Sequence, residues 1–486
     1  MKIRRRLQKL GIQGLVLLAC STTTVARAQD TSTNDAPSAA TSTNVQAGAE
    51  QSDDVQQQGW NWHAQNTDIY QGDPGFPAKY SGPHSLISGG EAKETISADI
   101  TAGVRLWDGG EFYVDGLLWQ GFGLSHTLGI LAFPNAESYK SGTGTPNLMF
   151  SRLILRQTIG FGGEQEDVPD GQLTLAGKQD ISRLTLTFGR MSFLDVFDHN
   201  SYAGDGRSQF MNWALVANLT WDFGQDTIGY SLGVTAELNQ QDWTLRYGYF
   251  EMPQYINAGN FGSGNGGEDE LLVWPGRGSF APIFKSYSMA TELERRFRFD
   301  SHPGAIRVLA WLNHSNIDTY QAATPILLVG GPNADISPAQ AYHYAFGFGL
   351  NGEQEISQNI GAYARLGWND GQTQALEYSD ANWSASAGLS IKGVGWDRPD
   401  DTVGFGGVIS GLSQHNQAFL SAGGQGIELG DGALNYAPEG AFEAYYSFQI
   451  WKGVQSTLDY QIVANPGSNQ DRGPVSIFAI RMHEEL

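Results

Sequence analysis

Cysteine is almost absent from this chain: Cys20 is the only one in 486 residues. An internal disulfide and a cysteine-built zinc site are therefore excluded. Basic residues are also scarce, with 29 Lys and Arg against 51 Asp and Glu and a formal charge of −22. Such a surface repels phosphate backbones, so a nucleic-acid partner is excluded. No stretch reaches the ~20 consecutive apolar residues of a membrane-spanning helix. The nine histidines (63, 84, 126, 199, 302, 314, 343, 415 and 483) never stand at i, i+4. HExxH, GxSxG and a phosphate-cradling glycine loop are missing too, so the sequence predicts no enzyme, cofactor or metal.

At the N-terminus, Lys2, Arg4, Arg5, Arg6 and Lys9 precede a short apolar core at 11–19, and Ala26-Arg27-Ala28 has the small-x-small form of a cleavage site. Residues 1–28 thus read as an export signal. Leu17-Leu18-Ala19-Cys20 also resembles a lipobox, so lipidation at Cys20 and cleavage after Ala28 both stand as readings. Cleavage after Ala28 removes six basic and no acidic groups, which takes −22 to −28. Residues 29–58 contain no aromatic side chain and read as a disordered tether. All 13 tryptophans follow, and 59–486 reads as one folded body.

The dominant signal in that body is alternation with period two, the mark of strands with one apolar and one polar face. Ile228, Tyr230, Leu232, Val234, Ala236 and Leu238 alternate with Gly229, Ser231, Gly233, Thr235 and Glu237. Sixteen segments qualify: 95–107, 111–123, 150–160, 181–190, 212–221, 227–238, 242–252, 286–299, 305–314, 342–352, 358–369, 381–392, 402–411, 441–451, 454–464 and 474–482. Most exceed the ~5–6 residues typical of globular strands and suit tilted strands crossing a bilayer. Arg105, Glu237, Arg246, Arg307, Arg365, Lys392, Glu443, Asp459 and Arg481 all fall on the polar parity, as a lipid-facing opposite side demands. Arg295 is the exception, assigned to snorkelling or a bulge. Trp107, Trp221, Trp243, Trp368 and Trp451 stand at strand ends, where interfacial girdles lie. The expected fold is all-β: a transmembrane antiparallel barrel of about 16 strands in the outer membrane of a Gram-negative bacterium, with lipid as its partner.

Connections should alternate between short inner turns and long outer loops. From residue 242 they do, with 253–285, 315–341 and 412–440 long and 300–304, 353–357 and 452–453 tight. Earlier the parity fails, because 124–149 and 191–211 are long where turns belong and 108–110 is short where a loop belongs. A missed strand pair, or long segments folded back into the lumen, would account for this.

The stretch FGRMSFLDVFDHNSYAGDGRSQFMNWAL at 188–215 resembles the signature of the carbohydrate-selective porins, the OprB family. That resemblance implies a passive outer-membrane channel for mono- and oligosaccharides, monomeric or homo-trimeric. Arg190, Asp198, Asn200, Asp205 and Arg207 match the family's motif. Beside them, Asp195, Arg105, Glu237, Arg246, Arg307, Arg365 and Glu443 are candidate pore-lining residues, with Tyr363, Tyr445, Trp311 and Trp451 supplying aromatic planes for sugar faces. Asp195, Asp198, Asn200 and Asp205 do not match a calcium-loop spacing. Segment 191–211 is expected to fold inward toward a constriction. Leu486 stands where such barrels usually end in an aromatic, so a short tail is expected after 474–482. The alternatives are a general diffusion porin and a soluble exported glycan-binding β-protein; an active receptor with a 22-stranded barrel and plug needs a longer chain.

Overall fold

The structure is a computed structural model that describes residues 56–138, 142–224, 228–253 and 283–486. The segment read as an export signal, Cys20, nearly all of the expected tether and most of the loop 253–285 lie outside the described residues. The strands are β1 (Trp60–Asp73), β2 (Glu91–Trp107), β3 (Gly110–Gly121), β4 (Thr143–Gly160), β5 (Gln165–Val168), β6 (Gly177–Asp180), β7 (Arg183–Met191), β8 (Ser231–Asn239) and β9 (Trp243–Glu251). They continue as β10 (Tyr287–Phe299), β11 (His302–Asp318), β12 (Gln340–Ser357), β13 (Ile360–Asn369), β14 (Trp383–Lys392), β15 (Thr402–Gly411), β16 (Glu439–Trp451), β17 (Val454–Ala464) and β18 (Val475–Glu485). Sixteen of them close one antiparallel barrel, sealed by β1 against β18, while β5 and β6 pair only with each other. Among the described residues three α-helices, α1 (Trp213–Val216), α2 (Tyr320–Gly330) and α3 (Gln414–Ser421), all lie in connections.

The expected number of strands is right, but one member is exchanged for another. Segment 212–221 is no wall strand: it forms α1 and an irregular run, buried at every position. Its alternation of Trp213, Leu215, Leu219 and Trp221 with smaller residues satisfies a packed interior rather than a bilayer. The missing wall strand is β1. Its outward row carries Asn66 and Asp68 between Trp62 and Tyr70, and these polar residues break the apolar pattern that marks the other strands.

With that exchange the parity of the connections is restored. Connections 74–90, 122–142, 192–230, 252–286, 319–339, 370–382, 412–438 and 465–474 leave one end of the barrel, while 108–109, 240–242, 300–301, 358–359, 393–401 and 452–453 are short at the other. One short-end connection, 161–182, breaks the rule and carries β5 and β6.

Because side chains alternate across each strand, the wall has two chemistries. Val234, Leu245, Val308, Phe348, Leu366, Phe405, Leu458 and Phe478 are exposed on the outside. Thr101, Arg246, Asn351, Arg365, Glu443, Gln461 and Arg481 are buried on the inside. Bulges shift this parity locally. One between Gln449 and Trp451 turns Trp451 outward, so it lines no pore. Trp107 and Trp368 are exposed at strand ends, whereas Trp221 is fully buried in the lumen and belongs to no girdle. Arg295 snorkels to Asp242 in the β8–β9 turn, 3.2 Å away. β18 runs on to Glu485, and Leu486 exchanges backbone hydrogen bonds with Ala64, so residues 483–485 continue the strand instead of forming the expected tail.

Candidate functional site

Segment 192–230 follows Met191, the last residue of β7. Two residues before that end, Gly189 has φ +139°, and a Cβ there would stand 1.9 Å from the Leu153 carbonyl oxygen, so this strand position admits only glycine. Ser192 and Asp195 then cap a short turn, the Asp195 carboxylate accepting from the Ser192 N–H at 2.9 Å. Within that turn Phe193 packs on Phe250 with ring centroids 4.0 Å apart and meets Trp221 edge-on at 5.2 Å. These rings, with Phe197, Phe210, Trp213 and Phe223, form an apolar core inside the barrel. Burying them stabilises the inward fold by ~1.5–3 kcal/mol per side chain.

Polar stitches set the register of this segment. Asp198 accepts from Arg365 Nε at 3.1 Å, Asn351 Nδ2 at 2.7 Å and the Asn218 N–H at 2.8 Å, while its own N–H donates to Glu292 at 2.8 Å. Asn200 donates to Asn351 Oδ1 at 2.8 Å. Both Glu443 oxygens accept backbone N–H groups, from Met211 at 2.6 Å and Asn212 at 2.8 Å. Arg481 donates to the carbonyls of Gly206 and Gln209 at 2.7 and 2.9 Å. These partners sit on β10, β12, β13, β16 and β18, so the segment lies across the lumen and meets several sides of its wall. Wall glycines make room for it: a Cβ on Gly361 would stand 2.0 Å from the Tyr202 ring, and one on Gly367 would stand 2.4 Å from Asn218 Oδ1. The abundance of glycine on the polar parity thus has a packing cause. Tyr363 and Tyr445 pack on Phe210 at 5.5 and 5.0 Å, so they brace the segment rather than face an open channel.

Two other clusters remain partly wet. Arg152 bridges Asp115 at 2.6 Å and Asp195 at 2.8 Å. Arg207 bridges Asp99 and Glu137, the latter at 2.9 Å. Side-chain exposure is 18% for Arg152 and 13% for Arg207, against 4% for both Arg365 and Asp198. Asp205 braces the second cluster by accepting from the Arg207 N–H at 2.9 Å and from Ser208 Oγ. Arg190 lies fully buried, donating to the Phe150 carbonyl at 3.2 Å, and both it and Arg152 sit over the Tyr230 ring, at 5.5 and 5.2 Å.

A third group climbs the wall from β8 to β12. Arg246 meets Glu237 at 2.6 Å, Glu292 at 2.8 Å and Glu294 at 3.1 Å, and Arg307 joins Glu294 at 2.8 Å to Glu353 at 3.2 Å. Glu353 also accepts from the Ser201 N–H at 2.6 Å, which ties this ladder to the segment.

The structure therefore brings Asp195, Asp198, Asn200, Asp205, Arg207, Arg246, Arg307, Arg365, Glu237 and Glu443 to the segment or the wall that holds it. Arg105 is elsewhere, at the short-turn end, bonded to the Gln58 carbonyl at 3.1 Å and to Glu111 at 3.2 Å. Arg152, Asp99, Asp115, Glu137 and Glu353 were missed. Asp99 and Asp115 stood on the polar parity and could have been chosen; Glu137 lies in a loop, where alternation carries no signal. Among the described residues no group of three His, Cys, Asp or Glu could hold a metal ion.

A closed sixteen-strand barrel, apolar outside and polar within, with a segment folded across its lumen, defines an outer-membrane channel of the porin class. The profile of the carbohydrate-selective porin, OprB family, matches residues 83–486, and the chain belongs to that family. It is an outer-membrane carbohydrate channel of Gram-negative type, and the barrel sets aside the soluble alternative. Comparison with curated protein sequences finds no relative. Among solved structures, the high-pH structure of OprB from Pseudomonas putida is similar at 16% identity and a TM-score of 0.65, covering 88% of this chain and 94% of that one. The outer-membrane channel DcaP of Acinetobacter baumannii is similar at 10% identity and a TM-score of 0.45, covering 88% of this chain and 97% of that one.

Proposed function

We propose that sugars cross this barrel passively along the two wet clusters, Arg152 with Asp115 and Asp195 and Arg207 with Asp99 and Glu137, while Asp198, Asn200, Arg365 and Glu443 frame the path. The observation that carries this reading is that both arginines are clamped between two carboxylates yet keep contact with water. A sugar must exchange hydroxyl–water hydrogen bonds for others of similar strength if it is to enter and leave quickly. Guanidinium donors beside carboxylate acceptors offer that exchange without moving the frame. The two carboxylates beside each guanidinium favour neutral sugars over anions of the same size. Each barrel holds a whole pathway, so the reading is the same for a monomer and for a homo-trimer.

Liposome swelling with glucose, arabinose and gluconate tests this. Glucose and arabinose should enter readily and gluconate several-fold more slowly. Influx that follows size alone, with gluconate as fast as glucose, would make the channel a general diffusion porin.

A further inference from the structure

Six of the seven short-end connections span two to nine residues, and the seventh, 161–182, spans 22. We propose that this connection is a hinged lid across the periplasmic exit of the pathway. The inference rests on the reading of the lumen as the sugar path.

Its tip turns back into the barrel mouth. Asn61 Nδ2 donates to Asp170 Oδ1 at 2.7 Å and to the carbonyls of Gly171 and Thr174 at 2.9 Å. Gln65 donates to Gln172 Oε1 at 3.2 Å, and Arg156 to the Leu173 carbonyl at 2.6 Å. Leu175 is buried in the apolar cluster that includes Tyr113 and Ile154. All these wall residues are on the inward parity of β1, β3 and β4. Gln65 lies five residues up β1 from Trp60, so at ~3.3 Å per residue the tip rises about 16 Å along the wall.

The tip is tied to the wall, while the root is held mainly by bonds within the connection itself. The tip is held by hydrogen bonds worth ~1 kcal/mol each, by the buried Leu175 and by the partly buried Leu173, and Asp170 remains 42% exposed. At the root, β5 pairs with β6, Glu166 meets Arg183 at 2.7 Å, and Asp180 accepts from the Gly162 N–H at 2.7 Å. Gly162 and Gly163 stand there at φ +82° and +104° with no neighbour within 4 Å of either Cβ position, a pair of residues suited to a hinge. Gln58, just before β1, clamps the lid by donating to the Ala176 carbonyl at 2.9 Å and accepting its N–H at 2.7 Å. Gln65 bonds Asp99 at 2.9 Å as well as Gln172, and Asp99 pairs with Arg207, so the tip is joined to the wet cluster by three contacts.

The test is the paired substitution Gln65→Cys with Gln172→Cys, reconstituted in liposomes and read oxidised and reduced, with each single variant as the control for Cys20. The oxidised channel should pass glucose several-fold more slowly, and reduction should restore it. A second variant in which 170–175 is replaced by two glycines should raise ion conductance while the preference for glucose over gluconate stays. Equal glucose influx in both redox states of a heat-resistant barrel, or native conductance after the tip is trimmed, would overturn the lid. Equal entry of glucose and gluconate through the reduced channel would instead overturn the pathway reading and leave the lid standing.

Discussion

Segment 192–230 is held by different chemistry on its two sides. On the side of β12, β13 and β16, carboxylates accept backbone N–H groups or face buried arginines, and Asp198, Arg365 and Glu443 have almost no contact with water. On the side of β2, β3 and β4, Arg152 and Arg207 each meet two carboxylates and stay partly wet. A dry charge that loses its partner is stranded, whereas a wet one finds water. The same residue types thus serve as fasteners on one side and as exchangeable hydrogen-bonding groups on the other. Exposure, rather than residue type, separates the two.

Three consecutive residues of β13 sharpen this contrast. Arg365→Ala should have the largest effect. It strands the buried Asp198 carboxylate, at a cost of ~3–5 kcal/mol. Segment 192–230 should become open to protease and ion conductance should rise several-fold in planar bilayers. An undisturbed conductance would show that the pair is no fastener. Leu366→Arg points the other way, into lipid, and should impair insertion by ~2–4 kcal/mol, seen as loss of the heat-resistant band on gels. Normal assembly would reverse the two faces. Gly367→Leu should cost ~1–3 kcal/mol by overpacking against Asn218 and Thr220. Its barrel should assemble while the segment loosens, a weaker form of the Arg365→Ala result. A native protease pattern would mean that the segment does not lie on the glycine track.

The wall was legible in the sequence because its physics is local. A residue such as Leu366 meets lipid and its neighbour Arg365 does not, and that alternation survives without knowledge of the rest of the fold. The pattern failed where the environment was not a bilayer on one side and lumen on the other. Strand β1 was hidden by Asn66 and Asp68 on its outer row, and 212–221 passed as a strand because a packed interior also accepts alternating large and small residues. The motif residues Asp198, Asn200 and Arg207 were visible through family resemblance, but not their division of labour. That depends on which partners the closed barrel brings to them from positions as distant as Asp99 and Arg365. Connection 161–182 was divided between a loop and the start of a strand at 181, because nothing in its composition announces a return into the mouth.

The central claim is that the wet arginines govern passage while the dry ones hold the frame. The paired variant Arg152→Gln with Arg207→Gln tests it most directly: glutamine keeps a hydrogen-bond donor beside the buried Asp99 and Asp115 carboxylates, and the heat-resistant band on gels confirms that the barrel has assembled. Influx of glucose, sorbitol and gluconate would be measured side by side. With both guanidinium groups gone, each cluster carries two uncompensated carboxylates, so gluconate should be excluded more strongly while the preference for glucose over uncharged sorbitol falls. Opposite movement of the two selectivities is the predicted result. If both fall together the segment has simply come loose, and if neither moves the clusters do not line the path; either would contradict the account.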